Sequence, residues 1–167
     1  MVKFRYEGGR IKMNKKISIK TSEDYFDSLR NRNLTVYYFG EQIDEPIDHP
    51  IIRPSVNAVA KTYDLAIENP EIASVISPFT NKRINRFLHI AQSSEDVVMQ
   101  NKMQRRLGQL TGTCFQRCVG MDALNSLFSV TYEIDEKYNS SYHEKFKEFI
   151  VMVQNGGFVI GGAMTDV

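Results

Sequence analysis

Residues 93–138 read SSEDVVMQNKMQRRLGQLTGTCFQRCVGMDALNSLFSVTYEIDEKY, and this stretch decides the fold. The run SSED at 93–96 is typical of a helix start, since serine accepts an N–H hydrogen bond at the N-cap and acidic side chains are favoured in the first turn. We expect a helix from there to about Leu110, a break at 111–112, and a second helix from Thr113 to about Tyr138. Two long helices in succession indicate a mainly α domain.

The segments on either side predict further helices and one β-hairpin. A capping-box pattern opens a helix over 21–31. Residues 34–43 are β-branched and aromatic around a Gly-Glu turn, which is typical of a small hairpin. Apolar residues at helical spacing predict a helix over 54–69 and a last one over 141–155. An irregular stretch is expected to follow Pro70.

The two ends of the chain do not fit the helical pattern. Residues 1–20 are interpreted as disordered or as a mis-annotated start, because the first dozen lack periodicity and the EGGR run before Met13 is what a purine-rich ribosome-binding sequence encodes. Residues 156–167 begin as a hydrophobic strand and are interpreted as the truncated start of a middle β domain. The helical domain is therefore expected to cover 21–155.

Composition excludes several classes of protein. The 167 residues are 42% hydrophobic and 25% charged, which is typical of a globular domain. A net charge of +1 gives no broad field for nucleic acid or an anionic membrane. No apolar run is long enough to span a bilayer, and the first residues lack the apolar core of a signal peptide. Two cysteines do not form a secreted disulfide framework, so we expect a cytoplasmic protein.

Cys114 and Cys118 are the residues most suited to metal chemistry. At a spacing of four on a helix, they would share one face. Two thiolates on one zinc ion must converge closely, whereas an i, i+4 pair can reach two irons of one cluster, so the spacing favours iron–sulfur over zinc. Ordinary core packing remains the alternative, because free cysteine is among the most buried residue types.

The other polar residues form no complete catalytic or metal site. The three histidines are interpreted as structural or solvated, so a cluster would need at least two ligands from outside this sequence. Arg105, Arg106 and Arg117 lie close to the cysteines and could neutralise a phosphate or a cluster, although we expect two of the three to face water. The acidic residues that follow the cysteines show no pairing typical of general acid–base catalysis.

Several segments of the chain resemble one enzyme family. These are YFDSLR, VYYFGEQI, DHPIIRPS, KMQRRLGQ, TYEIDEKY and above all TCFQRCVGMDA. They resemble the 4-hydroxybutyryl-CoA dehydratase/vinylacetyl-CoA delta-isomerase family, within the wider 4-hydroxyphenylacetate 3-hydroxylase superfamily. The resemblance runs from about residue 21 to Asp166 and departs at Val167, where the family has proline. The cysteine pair separates the dehydratase branch from the flavin-dependent hydroxylase branch.

The resemblance implies a fold, two cofactors and a set of site residues. The fold would be the N-terminal helical domain of an acyl-CoA-dehydrogenase-like protein, with a small β-hairpin and the first strand of a missing β domain. The family binds FAD and a 4Fe–4S cluster held by three cysteines and one histidine. The resemblance carries over to this chain two metal ligands, two substrate-binding residues and three flavin-contacting residues. The metal ligands are Cys114 and Cys118, and the substrate-binding residues are Arg105 and Gln116. The flavin-contacting residues are Met164, Thr165 and Asp166.

The implied function is that of an N-terminal fragment of the dehydratase. The family converts 4-hydroxybutyryl-CoA to crotonyl-CoA by a radical dehydration and isomerises vinylacetyl-CoA, and its catalytic base lies in sequence that would follow this chain. The fragment alone is expected to be inactive and to retain neither cofactor. A downstream-encoded remainder and a family-like homotetramer are the partners implied. The alternatives are a stand-alone helical binding or assembly module and the flavin-dependent hydroxylase branch.

Overall fold

A computed structural model describes residues 5–7, 10–12, 18–30, 32 and 34–162, and these residues form a mainly helical protein. The helices are α1 Ser22–Arg30, α2 Arg53–Glu68, α3 Pro70–Ala73, α4 Ser94–Thr111, α5 Cys118–Tyr138 and α6 Tyr142–Gly156. The strands are β1 Arg5–Glu7, β2 Arg10–Lys12, β3 Val36–Tyr38, β4 Glu41–Ile43, β5 Ser74–Ile76 and β6 Arg83–Asn85. Each strand pairs antiparallel with its neighbour in sequence, which gives three separate two-stranded hairpins in the described chain.

Local side-chain signals fix the starts of α1 and α4 as predicted. The Thr21 hydroxyl accepts from the Asp24 N–H and the Asp24 carboxylate accepts from the Thr21 N–H, both at 3.0 Å, so the predicted capping box is present. The Ser93 hydroxyl accepts from the Asp96 N–H at 3.2 Å and caps α4. Gly112, in the left-handed conformation at φ 60°, ends α4.

Of the two hairpins between α1 and α4, one is predicted and one is not. In the predicted β3–β4 hairpin, Phe39 and Gly40 form the turn with positive φ angles of 48° and 86°. The β5–β6 hairpin lies in the stretch that we expected to be irregular. There the buried Ser77 hydroxyl accepts N–H groups from the turn and donates to the Gln154 side chain at 2.6 Å.

Three clusters of buried side chains hold the helices together. Tyr25 of α1 stacks on Tyr63 of α2 with ring centroids 5.6 Å apart. Leu107 of α4 is buried against α2, α3 and α5. Ile150 of α6 packs with Leu124 of α5 and with the chain that follows β6. Within the described residues, no helix is both long and apolar enough to cross a bilayer.

The chain enters and leaves this helical body at neighbouring points. The Ile19 N–H donates to the Gly156 carbonyl at 2.8 Å, and Ile19 is buried. Gly157 follows in the left-handed conformation at φ 63°, and a Cβ atom there would overlap the Ile19 carbonyl. Residues 158–162, called here the exit segment, form no strand within the described part of the chain. The assignment of 156–167 to a β domain therefore stays a prediction, as does the interpretation of 1–20, of which the described part includes the β1–β2 hairpin.

Candidate functional site

The two cysteines lie in and directly after a short connection between α4 and α5, residues 112–117, called here the cysteine loop. Cys114 lies within the loop and Cys118 is the first residue of α5. The prediction of a helix from Thr113 is therefore wrong, and the two thiols do not lie four apart on one helix face. The Thr111 hydroxyl lies 2.9 Å from the carbonyl oxygens of both Leu107 and Thr113, which fixes the direction in which the loop leaves α4.

Side chains of the cysteine loop alternate between solvent and the protein interior. Cys114 and Gln116 are exposed, whereas Phe115 packs against Phe87 with ring centroids 5.5 Å apart and Arg117 is fully buried. Gln116 has a positive φ of 55°, and its N–H lies 3.4 Å from the Cys114 sulfur as a donor. The alternation leaves the Cys114 thiol at the surface of the loop, and Cys118 is half-buried.

Arg117 anchors the loop from inside. Its guanidinium donates to the Thr62 hydroxyl at 2.8 Å and to the Phe158 carbonyl at 3.3 Å. It also lies over the rings of Tyr63 and Phe87, at 4.8 and 5.0 Å from their centroids. Burial lowers the pKa of Arg117 and raises the pKa of Tyr63, because both lose water around their charged forms.

The exit segment crosses the first turn of α5, next to Cys118. A Cβ atom on Gly120 would lie 2.8 Å from the Ile160 carbonyl carbon and closer still to its oxygen, so the exit segment and α5 are in direct backbone contact there. A Cβ atom on Gly162 would likewise overlap a methyl group of the Val119 side chain. The Tyr63 hydroxyl donates to the Gly157 carbonyl at 2.6 Å and holds the beginning of the segment. The first turn of α5, which begins with Cys118, and the exit segment therefore lie side by side.

The two thiols are the sulfur donors available near the start of α5. Both cysteines are free, and neither is fully buried. In the described residues, no group of three or more His, Cys, Asp or Glu side chains could hold a metal ion. The three histidines have local contacts of their own: His49 with the Ile51 N–H, His89 with Asp96, and His143 with Thr131. The chemistry of the pair fits thiolate ligation, with further ligands needed from elsewhere.

The other predicted site residues do not all lie near the two thiols. Gln116 is beside Cys114, but Arg105 lies exposed on α4, and no hydrogen bond or ion pair of the described chain links it to the cysteine loop. Arg106 is exposed as well, so two of the three arginines face water as predicted. Met164, Thr165 and Asp166 lie outside the described residues.

Sequence reasoning missed the polar groups that hold the loop. Thr62 and Tyr63 are the inner partners of Arg117, and both come from α2, more than fifty residues earlier in the chain. Nothing in the sequence around them marked this role. The loop itself gave no signal either, because Gln116 and Arg117 are both polar and only the structure shows that Arg117 is buried.

Comparison with known proteins gives the family. Residues 21–167 match the family model described as 4-hydroxyphenylacetate 3-hydroxylase N terminal. The chain belongs to this family. It is 50% identical over 151 residues to the 4-hydroxybutyryl-CoA dehydratase/vinylacetyl-CoA-Delta-isomerase of Clostridium aminobutyricum, covering 89% of this chain and 31% of that one. The sequence-based resemblance to the dehydratases is thereby confirmed.

Solved structures in the family confirm the fold. An oxygen-tolerant archaeal 4-hydroxybutyryl-CoA dehydratase from N. maritimus is 63% identical, with a TM-score of 0.86 over 89% of this chain and 30% of that chain. The oxygenase component of 4-hydroxyphenylacetate 3-monooxygenase, in a complex with FAD, is 21% identical with a TM-score of 0.57 over 81% of this chain and 28% of that one, and shares the fold. The chain thus spans about a third of the length of the dehydratases it matches.

Proposed function

We propose that this chain is the N-terminal helical part of an FAD- and 4Fe–4S-dependent 4-hydroxybutyryl-CoA dehydratase that also isomerises vinylacetyl-CoA. In this proposal Cys114 and Cys118 are two of the ligands of the iron–sulfur cluster. The single observation that carries it is the pair of free cysteines at the start of α5, one in the loop before the helix and one at its first residue, in a chain half identical to a named dehydratase.

The residues of the site support a binding role for the loop. Both thiols are free of disulfide bonds, one is exposed, and Cys118 opens a 21-residue helix whose amino end carries partial positive charge. A cluster bound there would supply a Lewis acid for a departing hydroxyl group. Phe115 and Arg117 would hold the loop so that the thiols stay at its surface. Gln116, exposed beside Cys114, is proposed to face substrate or cluster, and Arg105 to bind the acyl-CoA.

The proposal requires chain that is not in this sequence. Two cysteines supply half of a four-ligand site, and the residues proposed to contact flavin, Met164, Thr165 and Asp166, are a short stretch at its end. Alone, the chain is therefore expected to hold neither cofactor tightly and to be inactive, because a half-ligated cluster is open to solvent and oxidants. The remaining ligands and the base would come from a second polypeptide that carries the rest of the enzyme, in a cytoplasmic homo-oligomer.

Anaerobic reconstitution tests the proposal. The chain is incubated with iron, sulfide and FAD, with and without a polypeptide that carries the remainder of the N. maritimus dehydratase, and the absorbance and electron paramagnetic resonance spectra are recorded. We expect cluster signals only when the second polypeptide is present. Cys114→Ser and Cys118→Ser should each abolish them, while Ser126→Ala on α5, which leaves both thiols in place, should not.

Two results would overturn the proposal. One is a complex of the two polypeptides that forms but contains no cluster. The other is a cluster that assembles equally well after both cysteines are replaced, since the ligands would then lie elsewhere. Dehydratase activity on 4-hydroxybutyryl-CoA, followed by the formation of crotonyl-CoA, is measured on the complex that contains both cofactors.

A further inference from the structure

Arg117 is a buried cation with no anionic partner in the described chain. Only 2% of its surface is exposed. Its hydrogen bonds go to a hydroxyl and to a carbonyl, and among the described residues no Asp or Glu forms an ion pair with it. Burial of an unpaired charge costs free energy, so a residue that only filled this space would be better apolar. The position therefore uses a property that an apolar side chain lacks.

The contacts of Arg117 join three separate parts of the chain. Its backbone is the last residue of the cysteine loop, where it serves as the N-cap residue of α5. Its side chain reaches Thr62 on α2 and the Phe158 carbonyl of the exit segment. Thr62 is itself fixed, because its hydroxyl donates to the Val59 carbonyl at 2.6 Å. One guanidinium thus ties the loop to a rigid helix and to the exit segment at the same time.

We infer that Arg117 is a positioning residue that fixes the cysteine loop, and with it the half-buried thiol of Cys118, against α2 and the exit segment. The inference rests on the proposed function, in which Cys114 of the loop and Cys118 directly after it are two ligands of the cluster. Arg117 lies between those ligands in sequence but directs its side chain away from the surface, so it acts on them only through the backbone of the loop.

Arginine suits this role for a geometric reason. Its planar guanidinium donates in two directions and stacks on Tyr63 and Phe87 with the same group. Lysine carries the charge but is a point donor without a stacking plane, so Arg117→Lys is not expected to restore the loop. That variant separates the role of charge from the role of shape.

A merely structural role predicts a different pattern. If Arg117 only stabilised the core, its loss would expose Cys118 through global unfolding, as the loss of any buried arginine would. Arg86 provides the control: it is 5% exposed, donates to the carbonyls of Ile72 and Ser74 at 2.7 and 2.9 Å and forms an ion pair with Asp96 at 3.5 Å, and none of these partners belongs to the cysteine loop. A positioning role instead predicts local opening, which depends little on denaturant.

The experiment measures alkylation rates of both thiols in the iron-free 167-residue chain by mass spectrometry, from zero to low urea. For Arg117→Met we expect the rate at Cys118 to rise about tenfold without urea and with a small urea dependence, since charged hydrogen bonds are lost locally. Cys114, already exposed, should change little. Thr62→Val removes the acceptor with little change of shape and should act in the same direction. In Arg86→Met, the alkylation rate of Cys118 should rise only through global unfolding, with the steep urea dependence that global unfolding has.

The outcomes separate this inference from the proposed function. The inference is wrong if the alkylation rate of Cys118 in Arg117→Met and in Thr62→Val is within about twofold of its rate in Arg86→Met. It is also wrong if Cys118 in Arg117→Lys is alkylated at the wild-type rate. If Arg117→Met does not fold, Thr62→Val decides. The assay contains no iron, so a positive result stands even if reconstitution yields no cluster, and in that case the proposed function fails and the loop anchor remains.

Discussion

Replacement of Gly120 by alanine tests the contact between the exit segment and α5. The new Cβ atom would overlap the Ile160 carbonyl, which is backbone and cannot turn aside as a flexible side chain would. Overpacking of this kind costs about 1–3 kcal/mol, and alanine recovers up to about 1 kcal/mol of helix propensity relative to glycine. We therefore expect Gly120→Ala to lower the free energy of unfolding by about 1–2 kcal/mol.

Gly108 gives the matched control for this prediction. It lies in the last turn of α4, and nothing is within 4 Å of the position its Cβ atom would occupy. Gly108→Ala should therefore stabilise the protein by about 0.5–1 kcal/mol through helix propensity alone. The test depends on the opposite signs of the two changes in the free energy of unfolding.

Urea unfolding followed by circular dichroism measures both variants, and amide hydrogen exchange reports on residues 158–162. For a domain of this size, 1 kcal/mol corresponds to about 2–4 °C in the melting temperature, which is readily resolved. If Gly120→Ala is as stable as the wild type and exchange in the exit segment is unchanged, the exit segment does not lie against α5 and the reasoning fails.

Two further predictions concern hydrogen bonds described above. Tyr63→Phe should lower the free energy of unfolding by about 1–2 kcal/mol, because it leaves the Gly157 carbonyl without its donor; a urea midpoint equal to that of the exposed control Tyr37→Phe would contradict this. Hydrogen bonds from the N–H groups of Lys20 and Thr21 lower the pKa of Asp24 below its usual value, so its contribution to stability is complete above about pH 5 and is lost as the pH falls through the folded pKa. Asp24→Asn should therefore flatten the acid side of the stability profile, and an unchanged slope in urea titrations from pH 5 downwards would argue against the capping role.

Helix starts could be predicted where the deciding contacts are local. Ser93 with Asp96 and Thr21 with Asp24 lie three residues apart, and the sequence displays the pairs directly. The start of α5 could not be predicted in this way. It follows Arg117, whose side chain turns inward to Thr62, 55 positions earlier in the chain, and so distant a partner does not show in the local pattern.

The cysteine pair shows the same difference between what local sequence determines and what distant contacts determine. The residue type alone predicts that the two thiols can bind metal. Their relative position could not be predicted without the fold, because residues four apart share a face on a helix but not on a loop. The β5–β6 hairpin was missed for a related reason. Its turn is organised by Ser77, whose hydroxyl is held by Gln154 from the far end of the chain. A pattern search over a short window cannot detect such a partner.

The meeting of Ile19 and Gly156 has a mechanical consequence. Tension applied between these two points would act on the hydrogen bond between them, on the buried Ile19 side chain and directly on the last residue of α6. The same closeness makes the body easy to splice into a surface loop of a host protein, since its two attachment points need almost no linker to bridge them. Gly157 tolerates no side chain at this point, because a Cβ atom would overlap the backbone carbonyl of Ile19.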